Sequence, residues 1–457
     1  MHNVADVEVQ KNIMDAMLGF AAGIMIAASF FSLLEPSLKM AESLKMIPWI
    51  VTTIGFISGG LLLFIGDRIF TKIDKKISLT PEECSFMQIY YDCHTIKSLF
   101  YSIKENYIAG ISLIPYMSLF CWEALDFFKN IGIDFNIKEN YTFTLTDVRL
   151  KLKIFENKYS KSKNMILNWD YLQDYIFKNK LKFDFMKDCN MYYNLGVIFN
   201  EKKEIVGNSQ YGYYIFQDNK LLKRKIEYVK GLVDTSNIKY EYAPEDYLEY
   251  GRYVGEIIGS FLRYFRELNV QDVNIQTNKI NTNMLYKDFN SNKLYRNEDD
   301  KIIALYLLHI LTFINSTIRL LGECEKDDTG WWLRIYYIAY YYAIERLEDI
   351  KNHIDNNEID NANFNKLLTQ IQLNNNLMNG DFRNCMMHYG LKNKENRFLI
   401  EEKKFNLDIP MMGLVESCFD NLDYFELKRK IKLELENISQ VIDNILNINK
   451  SNLNKFE

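Results

Sequence analysis

The sequence predicts a mainly α-helical protein in three regions: two N-terminal transmembrane helices, an α+β middle region and a C-terminal helical bundle. Two long uncharged runs lie in the first eighty residues, and strand-like and helix-like patterns alternate after them. From residue 297 onward apolar residues recur every three or four positions, which is typical of helices packed against one core. The predicted domains are residues 1–80, 81–296 and 297–457.

The N-terminal region contains two segments long enough to cross a bilayer. Residues 16–34 are nineteen consecutive uncharged residues, and residues 46–66 are another twenty-one. A helix of roughly 20 apolar residues spans a hydrocarbon core of about 30 Å. A buried hairpin of a soluble core is the alternative. Small residues along both runs, such as Gly23 and Gly59, would let the two helices approach closely.

The charges that flank these segments predict their orientation. Arg68, Lys72, Lys75 and Lys76 follow the second segment and outnumber the two lysines of the connecting loop. By the positive-inside rule both termini face the cytoplasm. The predicted location is therefore the inner (cytoplasmic) membrane of a bacterial cell, anchored through residues 16–66, with the bulk of the chain on the cytoplasmic side.

Residues 11–77 carry a resemblance to a known family. The stretch DAMLGFAAGIMIAASFFSLLEPSL and the glycine-rich run after it resemble two transmembrane helices of the ZIP family of zinc and iron transporters. That family binds metal through histidine motifs on later helices, and no histidine of this chain lies in such a motif. Two helices cannot enclose a metal path, because the ligands must converge from several helices. The resemblance implies an anchor or the remnant of a transporter gene, and no bound metal is predicted.

The middle region reads as an α+β domain of unknown function. Residues 148–155 alternate apolar and charged side chains as a half-buried strand does. Residues 195–199 and 211–216 are strand-like runs before the polar turns NEKKE and QDNK, and each is compatible with a hairpin. Apolar periodicity predicts a helix over residues 250–268. Residues 107–122 are uncharged but contain Pro115, which favours a buried core helix over a third span.

The composition limits the function only broadly. The formal charge of −5 gives no global case for a nucleic-acid coat protein, although a local basic patch remains possible. Seven scattered cysteines form no CxxC pair and no zinc-like cluster with histidine, so they read as reduced thiols. No glycine-rich phosphate loop, nucleophile elbow or internal repeat is present, and no cofactor is predicted.

The C-terminal region predicts four helices with short connections. They cover residues 299–323, residues 330–354 after an acidic turn, residues 362–378, and residues 414–448. The aromatic run of residues 336–344 is expected to serve core and dimer packing rather than base stacking.

The candidate active site lies between the third and the last of these helices, in the sequence NGDFRNCMMHYG. Gly380 should end the third helix, and Asp381 is a suitable N-cap for a new one closed by Gly390. Arg383 and Asn384 would then lie in a first turn, where free backbone N–H groups favour a phosphate.

These residue types suit cleavage of RNA without a metal. A histidine such as His388 can take the proton from a ribose 2'-hydroxyl, and an arginine such as Arg383 can stabilise charge on the phosphate through its planar fork of donors. Asn384 could orient either partner. The predicted catalytic residues are Arg383, His388 and Asn384, and the product would carry a 2',3'-cyclic phosphate.

Spacing alone is weak support for this site. The chain contains a second such pair, Arg346 with His353, on what reads as a solvated helix face. Packing of the His388 ring against Met386, Met387 or Tyr389, with Arg383 in a surface salt bridge to Asp381 or to a residue of the last helix, is the alternative to catalysis.

The context of the motif carries a second resemblance. An asparagine directly after the arginine, a helix start and a place late in a helical bundle resemble the HEPN superfamily and its RNxxxH ribonuclease motif, over about residues 298–450. The resemblance implies an RNA substrate, a homodimer through the C-terminal bundle, and a role as a toxin or abortive-infection effector in phage defence, with any antitoxin or trigger unidentified. It leaves open a catalytically silent interaction module, and a transporter remnant fused to an unrelated domain.

Overall fold

The computed structural model describes residues 35–44, 47, 79–137, 157–178, 192–211, 244–270, 272–294, 298–356 and 377–456. Contacts divide the chain into two compact units, residues 1–78 and 79–457. The described part of the first unit is helix α1, Glu35–Ser43. The predicted segments 16–34, 46–66 and 148–155 lie outside the described residues, as do almost all of the third C-terminal helix and residues 212–216. The second unit is mostly helical with a small sheet.

Two adjacent helices begin the second unit. Helix α2, Pro81–Ile103, starts at a capping box in which Thr80 accepts from the Glu83 N–H and Glu83 accepts from the Thr80 N–H. Helix α3, Tyr107–Asn130, starts at Asn106 and continues through Pro115. In the most apolar 18 residues of this helix, 89% is buried inside the protein. By length and composition α3 is a candidate membrane span, and so is the stretch Asp300–Cys324, which is 94% buried.

The sheet has four strands within the described residues, in the order β2-β1-β3-β4, all antiparallel. Strand β1 is Leu195–Phe199 and β2 is Ile205–Asn208. The hairpin predicted around the polar turn NEKKE is therefore confirmed. Helix α4, Tyr159–Lys178, precedes the hairpin, and the strand predicted from Tyr211 is wrong at that residue, which lies in a helical turn.

A helix and the two remaining strands come later in the chain. Helix α5 is Pro244–Glu267, which confirms the predicted helix and extends it at the N-terminus. Strand β3 is Met284–Phe289, and β4, Asn454–Phe456, pairs with it from the far end of the chain. Segments on both sides of residue 297 thus form one sheet within one compact unit. The domain boundaries at 80 and 297 stay predictions.

Two long helices form the centre of the core. Helix α6, Glu298–Asn315, continues as a π turn over Ser316–Leu320 and a 3-10 turn over Leu321–Cys324. Helix α7 is Trp331–Asn356. Both match the predicted ranges. The aromatic run is core, as expected, because Tyr336, Tyr337, Tyr340 and Tyr342 are all at most 1% exposed.

The last long helix is broken, contrary to the continuous helix predicted over residues 414–448. Helix α9 ends at Cys418 after starting at Leu414, and helix α10 runs over Tyr424–Leu446. The physical reason is local: Asp423 caps α10 by accepting from the Glu426 N–H, so that a new helix starts there. Helix α8, Gly380–Met387, lies between α7 and α9 in the chain.

The turn before α9 has an unusual backbone. Met411, Met412 and Gly413 all have positive φ, at 62°, 55° and 90°. For the two methionines this conformation costs of order 1 kcal/mol or more each. A Cβ at position 413 would clash with the Lys404 carbonyl oxygen. Only glycine fits this position.

We expect Gly413→Ala to lower the free energy of unfolding by about 2 kcal/mol or more, because it adds both an unfavourable φ and a clash with backbone. Gly255→Ala is the matched control. Gly255 is exposed within α5 and its Cβ would meet nothing within 4 Å, so alanine there should stabilise by about 0.5–1 kcal/mol. Thermal unfolding of both purified variants measures the difference, and equal midpoints would contradict the assigned turn.

Candidate active site

Helix α8 presents the candidate residues, and its start differs from the prediction. Asn379 is the N-cap and accepts from the Phe382 N–H, so Asp381 is not the cap and Gly380 is the first helical residue. The Tyr337 hydroxyl accepts from the Asn379 N–H and donates to the Leu377 carbonyl. Packing against α7 therefore fixes the start of the helix two residues earlier than local sequence suggested.

The earlier start changes the expected phosphate site. The Arg383 N–H already donates to the Asn379 carbonyl at 2.9 Å, so it is an intrahelical bond and not a free first-turn donor. Placement of Arg383 and Asn384 in the first turn is therefore wrong, because both residues lie two positions further into the helix than predicted. Any anion recognised by Arg383 has to be bound by its side chain.

The Arg383 side chain is half-buried among aromatic residues. Its Nη2 donates to the Tyr342 hydroxyl at 3.2 Å, and its guanidinium lies over the Tyr341 and Tyr342 rings at 5.6 and 5.7 Å. Its Nη1 donates to the Asn384 side-chain oxygen at 3.2 Å. Among the described residues it has no carboxylate partner, so the alternative of a surface salt bridge to Asp381 is not found there.

Asn384 contacts both members of the predicted pair. Its side chain accepts from Arg383, and its backbone carbonyl accepts from the His388 N–H at 2.7 Å. His388 is the C-cap of α8 and has extended backbone, φ −126° and ψ 153°. The chain therefore leaves the helix at the histidine, which the sequence analysis had placed inside a helix closed by Gly390.

His388 is paired with a buried carboxylate. Its Nδ1 lies 2.7 Å from Oε2 of Glu123, a residue of α3 that is 265 positions away in the chain. The histidine side chain is 46% exposed, whereas that of Glu123 is 7% exposed. Packing of the ring on Met387 or Tyr389 alone does not account for the contact between His388 and Glu123. Sequence reasoning missed Glu123, which is the first charged residue after the uncharged run of residues 107–122.

This geometry determines what the imidazole can do. A carboxylate that accepts from Nδ1–H fixes the tautomer and the ring orientation, and leaves Nε2 as the basic nitrogen. The same arrangement orients histidine bases in hydrolases. His388 is an exposed residue between buried Met387 and Tyr389, so the dyad stands at the protein surface.

A buried arginine of α7 holds this segment in place. Arg334 is 4% exposed, and its Nη1 donates to the carbonyls of Cys385 and Met386 at 2.9 and 2.8 Å. Its Nε lies 2.9 Å from Asp92, and its guanidinium lies 4.4 Å from the centre of the Tyr389 ring. It thus contacts residues on both sides of His388.

Burial governs the protonation of this cluster. Desolvation raises the pKa of Asp92, opposed by the charge of Arg334 and by the Tyr389 hydroxyl, which donates to it at 2.5 Å. Desolvation also raises the pKa of Tyr389 well above its ordinary value, with Arg334 opposing and Asp92 reinforcing the rise. The phenol therefore stays a hydrogen-bond donor at neutral pH.

The second arginine and histidine pair is structural. Arg346 is 5% exposed, donates to the Asn157 carbonyl at 2.6 Å and pairs with Asp349 at 3.2 Å. The solvated face predicted for Arg346 is therefore wrong, because α7 packs against the start of α4 there. The His353 ring packs against Tyr159, with ring centres 4.9 Å apart.

Within the parts of the chain that the structure describes, no group of three histidine, cysteine, aspartate or glutamate side chains is placed to hold a metal ion. The arginine and histidine pair is the site with defined chemistry on α8.

Comparison with known proteins gives a match to one short segment. Zinc transporter ZIP11 of Xenopus tropicalis is 38% identical over 63 residues, which are 13% of this chain and 19% of the transporter. Zinc transporter ZIP11 of Bos taurus and of Homo sapiens are 41% and 39% identical over 61 residues, 18% of each transporter. The match agrees with the predicted ZIP-like fragment. The chain spans less than a fifth of the length of these relatives.

No family model matches the chain, and no solved structure matches it. The short ZIP similarity suggests a membrane protein.

Replacing Arg334 by lysine should lower the free energy of unfolding by about 3–5 kcal/mol, because one ammonium group cannot reach the carbonyls, Gln88 and Asp92 together and leaves buried groups unpaired. Arg397→Lys is the control, since the Arg397 side chain is 75% exposed and its replacement should change stability by less than about 0.5 kcal/mol. Thermal unfolding checks both, and an unchanged midpoint for Arg334→Lys would contradict the assigned role.

Proposed function

We propose that the chain is a metal-independent endoribonuclease that cleaves RNA with His388, Arg383 and Asn384. The observation that supports the proposal is the pair formed by exposed His388 and buried Glu123, 2.7 Å apart, at the end of the helix that carries Arg383. We assign Glu123 as the residue that positions the histidine.

The chemistry needs no group beyond these side chains. His388 Nε2 takes the proton from a ribose 2'-hydroxyl, whose oxygen attacks the adjacent phosphorus. The O2'–P bond forms, the P–O5' bond breaks, and the leaving 5'-oxygen takes a proton from solvent. The products are a 2',3'-cyclic phosphate and a 5'-hydroxyl.

Arg383 is suited to stabilise the charge that develops on the phosphoryl oxygens. A guanidinium has five N–H donors, and the contacts to Asn384 and Tyr342 occupy two nitrogens of the group. Asn384 and the two tyrosines fix its plane in advance, so little reorganisation accompanies substrate binding.

We retain the HEPN-like assignment of residues 297–457. The biological role that we propose follows from this resemblance. In that setting two copies face each other through the C-terminal bundle, and RNA cleavage arrests growth as a toxin or abortive-infection response. The catalytically silent interaction module is the competing function for the same bundle.

We expect His388→Ala and Arg383→Ala to lower RNA cleavage by the full-length chain about 10²- to 10⁴-fold in the presence of EDTA, because each removes a group that acts at the reacting phosphate. Glu123→Gln should lower it about 10- to 100-fold by loosening the histidine. The readout is the rate of cleavage of a labelled RNA and the cyclic-phosphate end of the product.

His353→Ala is the matched control for this experiment, because His353 also follows an arginine on a helix yet packs against Tyr159. It should leave the cleavage rate unchanged. If the parent and all of these variants cleave RNA equally, the activity belongs to a contaminant; if the folded parent cleaves nothing, the silent interaction module is favoured.

We further propose that residues 16–34 and 46–66 anchor the chain in the cytoplasmic membrane, with the bulk of the protein on the cytoplasmic side. The short similarity to zinc transporter ZIP11 supports a transporter-derived anchor. With so small a part of a transporter, metal uptake by the chain itself is not expected.

Removal of residues 1–78 should release the chain from membranes washed with alkaline carbonate, while the full-length chain stays in the pellet. The apolar windows of the two other candidate spans are 89% and 94% buried within the second unit, so they should not hold the truncated chain in lipid. Retention of the truncated chain in the pellet would assign the anchor to one of those helices.

Zinc uptake by cells expressing the full-length chain should equal that of the empty-vector control.

A further inference from the structure

A second site lies away from the histidine. A cavity of about 300 Å³ opens between α2, the loop before α7, the segment 407–412 and the start of α10. Neither Arg383, His388 nor Glu123 lines it. Its volume is at the lower end of the range that holds small organic ligands.

Methionine and aromatic side chains form part of the cavity wall. Met87, Met411 and Met412 contribute thioethers, and Tyr91 and Phe425 contribute rings. Methionine is polarisable and fits irregular ligands, and aromatic faces attract cations. Phe425 is 57% exposed, so its ring is accessible.

The polar groups of the lining are neutral or acidic. Asp328 accepts from the Tyr424 hydroxyl and pairs with Lys428, which also pairs with Glu325. Asp408 is exposed at the rim, and it has no basic counterpart among the residues that line the cavity. The charge of the lining therefore disfavours an anion.

The backbone conformation of the wall is also consistent with a built site. Met411 and Met412 keep positive φ values of 62° and 55°. Such strain persists where the surrounding structure enforces it, and it is common at ligand sites.

We propose that this cavity binds a small organic cation, an amine or quaternary ammonium compound with an aromatic or branched apolar body. The cationic head lies against the rings of Tyr91 and Phe425 with Asp408 at the rim, and the apolar body contacts the methionines. Cation–π attraction and the acidic rim select against neutral and anionic analogues.

The test is titration of the full-length chain in detergent micelles with three matched probes: benzyltrimethylammonium, phenylacetamide and phenylacetate. The chain carries ¹³C-methyl methionine, and replacement of Met411 and Met412 by leucine assigns their signals. We expect saturable shifts of these signals with the ammonium compound, weaker binding of the amide by about three- to tenfold, and no binding of the carboxylate.

Two variants test the proposed ligand contacts, and a third variant, at an exposed aromatic residue outside the cavity, is the control. Phe425→Leu and Asp408→Asn should each weaken binding of the ammonium probe by about three- to tenfold, while Tyr101→Leu, an exposed aromatic on α2 that does not line the cavity, should leave it unchanged. Absence of a saturable shift with the ammonium probe overturns the proposal, as does equal binding of the three probes. Both outcomes are independent of RNA cleavage.

Discussion

The buried guanidinium of Arg334 is the contact on which the candidate site depends. It joins α2 through Gln88 and Asp92 to the C-terminal turn of α8 through the carbonyls of Cys385 and Met386. A short helix of eight residues has little stability of its own, so its position has to come from packing and from such bonds. Arginine suits this place because its fork of donors reaches several acceptors at once.

The site itself is assembled from distant parts of the chain. His388 follows α8, and Glu123 belongs to α3 in the region that the sequence assigned to a separate domain. Tyr342 of α7 contacts Arg383, and Tyr337 of the same helix fixes the start of α8. The aromatic run of α7 therefore contributes both to the core and to the site.

Local patterns predicted the regular elements well where the determining forces are local. The apolar period located α5, α6 and α7, and a strand-like run before a polar turn located β1 and indicated a hairpin, whose second strand the structure supplies. Errors occurred at helix ends. Asn379 and Asp381 are both good caps by type, and Asn379 is used because its backbone bonds to Tyr337. The break before α10 reflects capping by Asp423 within a run whose apolar period continues across it.

The sequence alone determined the helical character of the C-terminal half, the hairpin, the ZIP-like segment and the candidate residues Arg383, Asn384 and His388, because each is a property of neighbours in the chain. Only the tertiary structure decided which arginine and histidine pair is exposed to solvent and which is structural. Arg346 is buried against Asn157, and His388 acquires Glu123 from 265 residues away. Spacing cannot report these partners, since burial and ion pairing depend on which helices pack together.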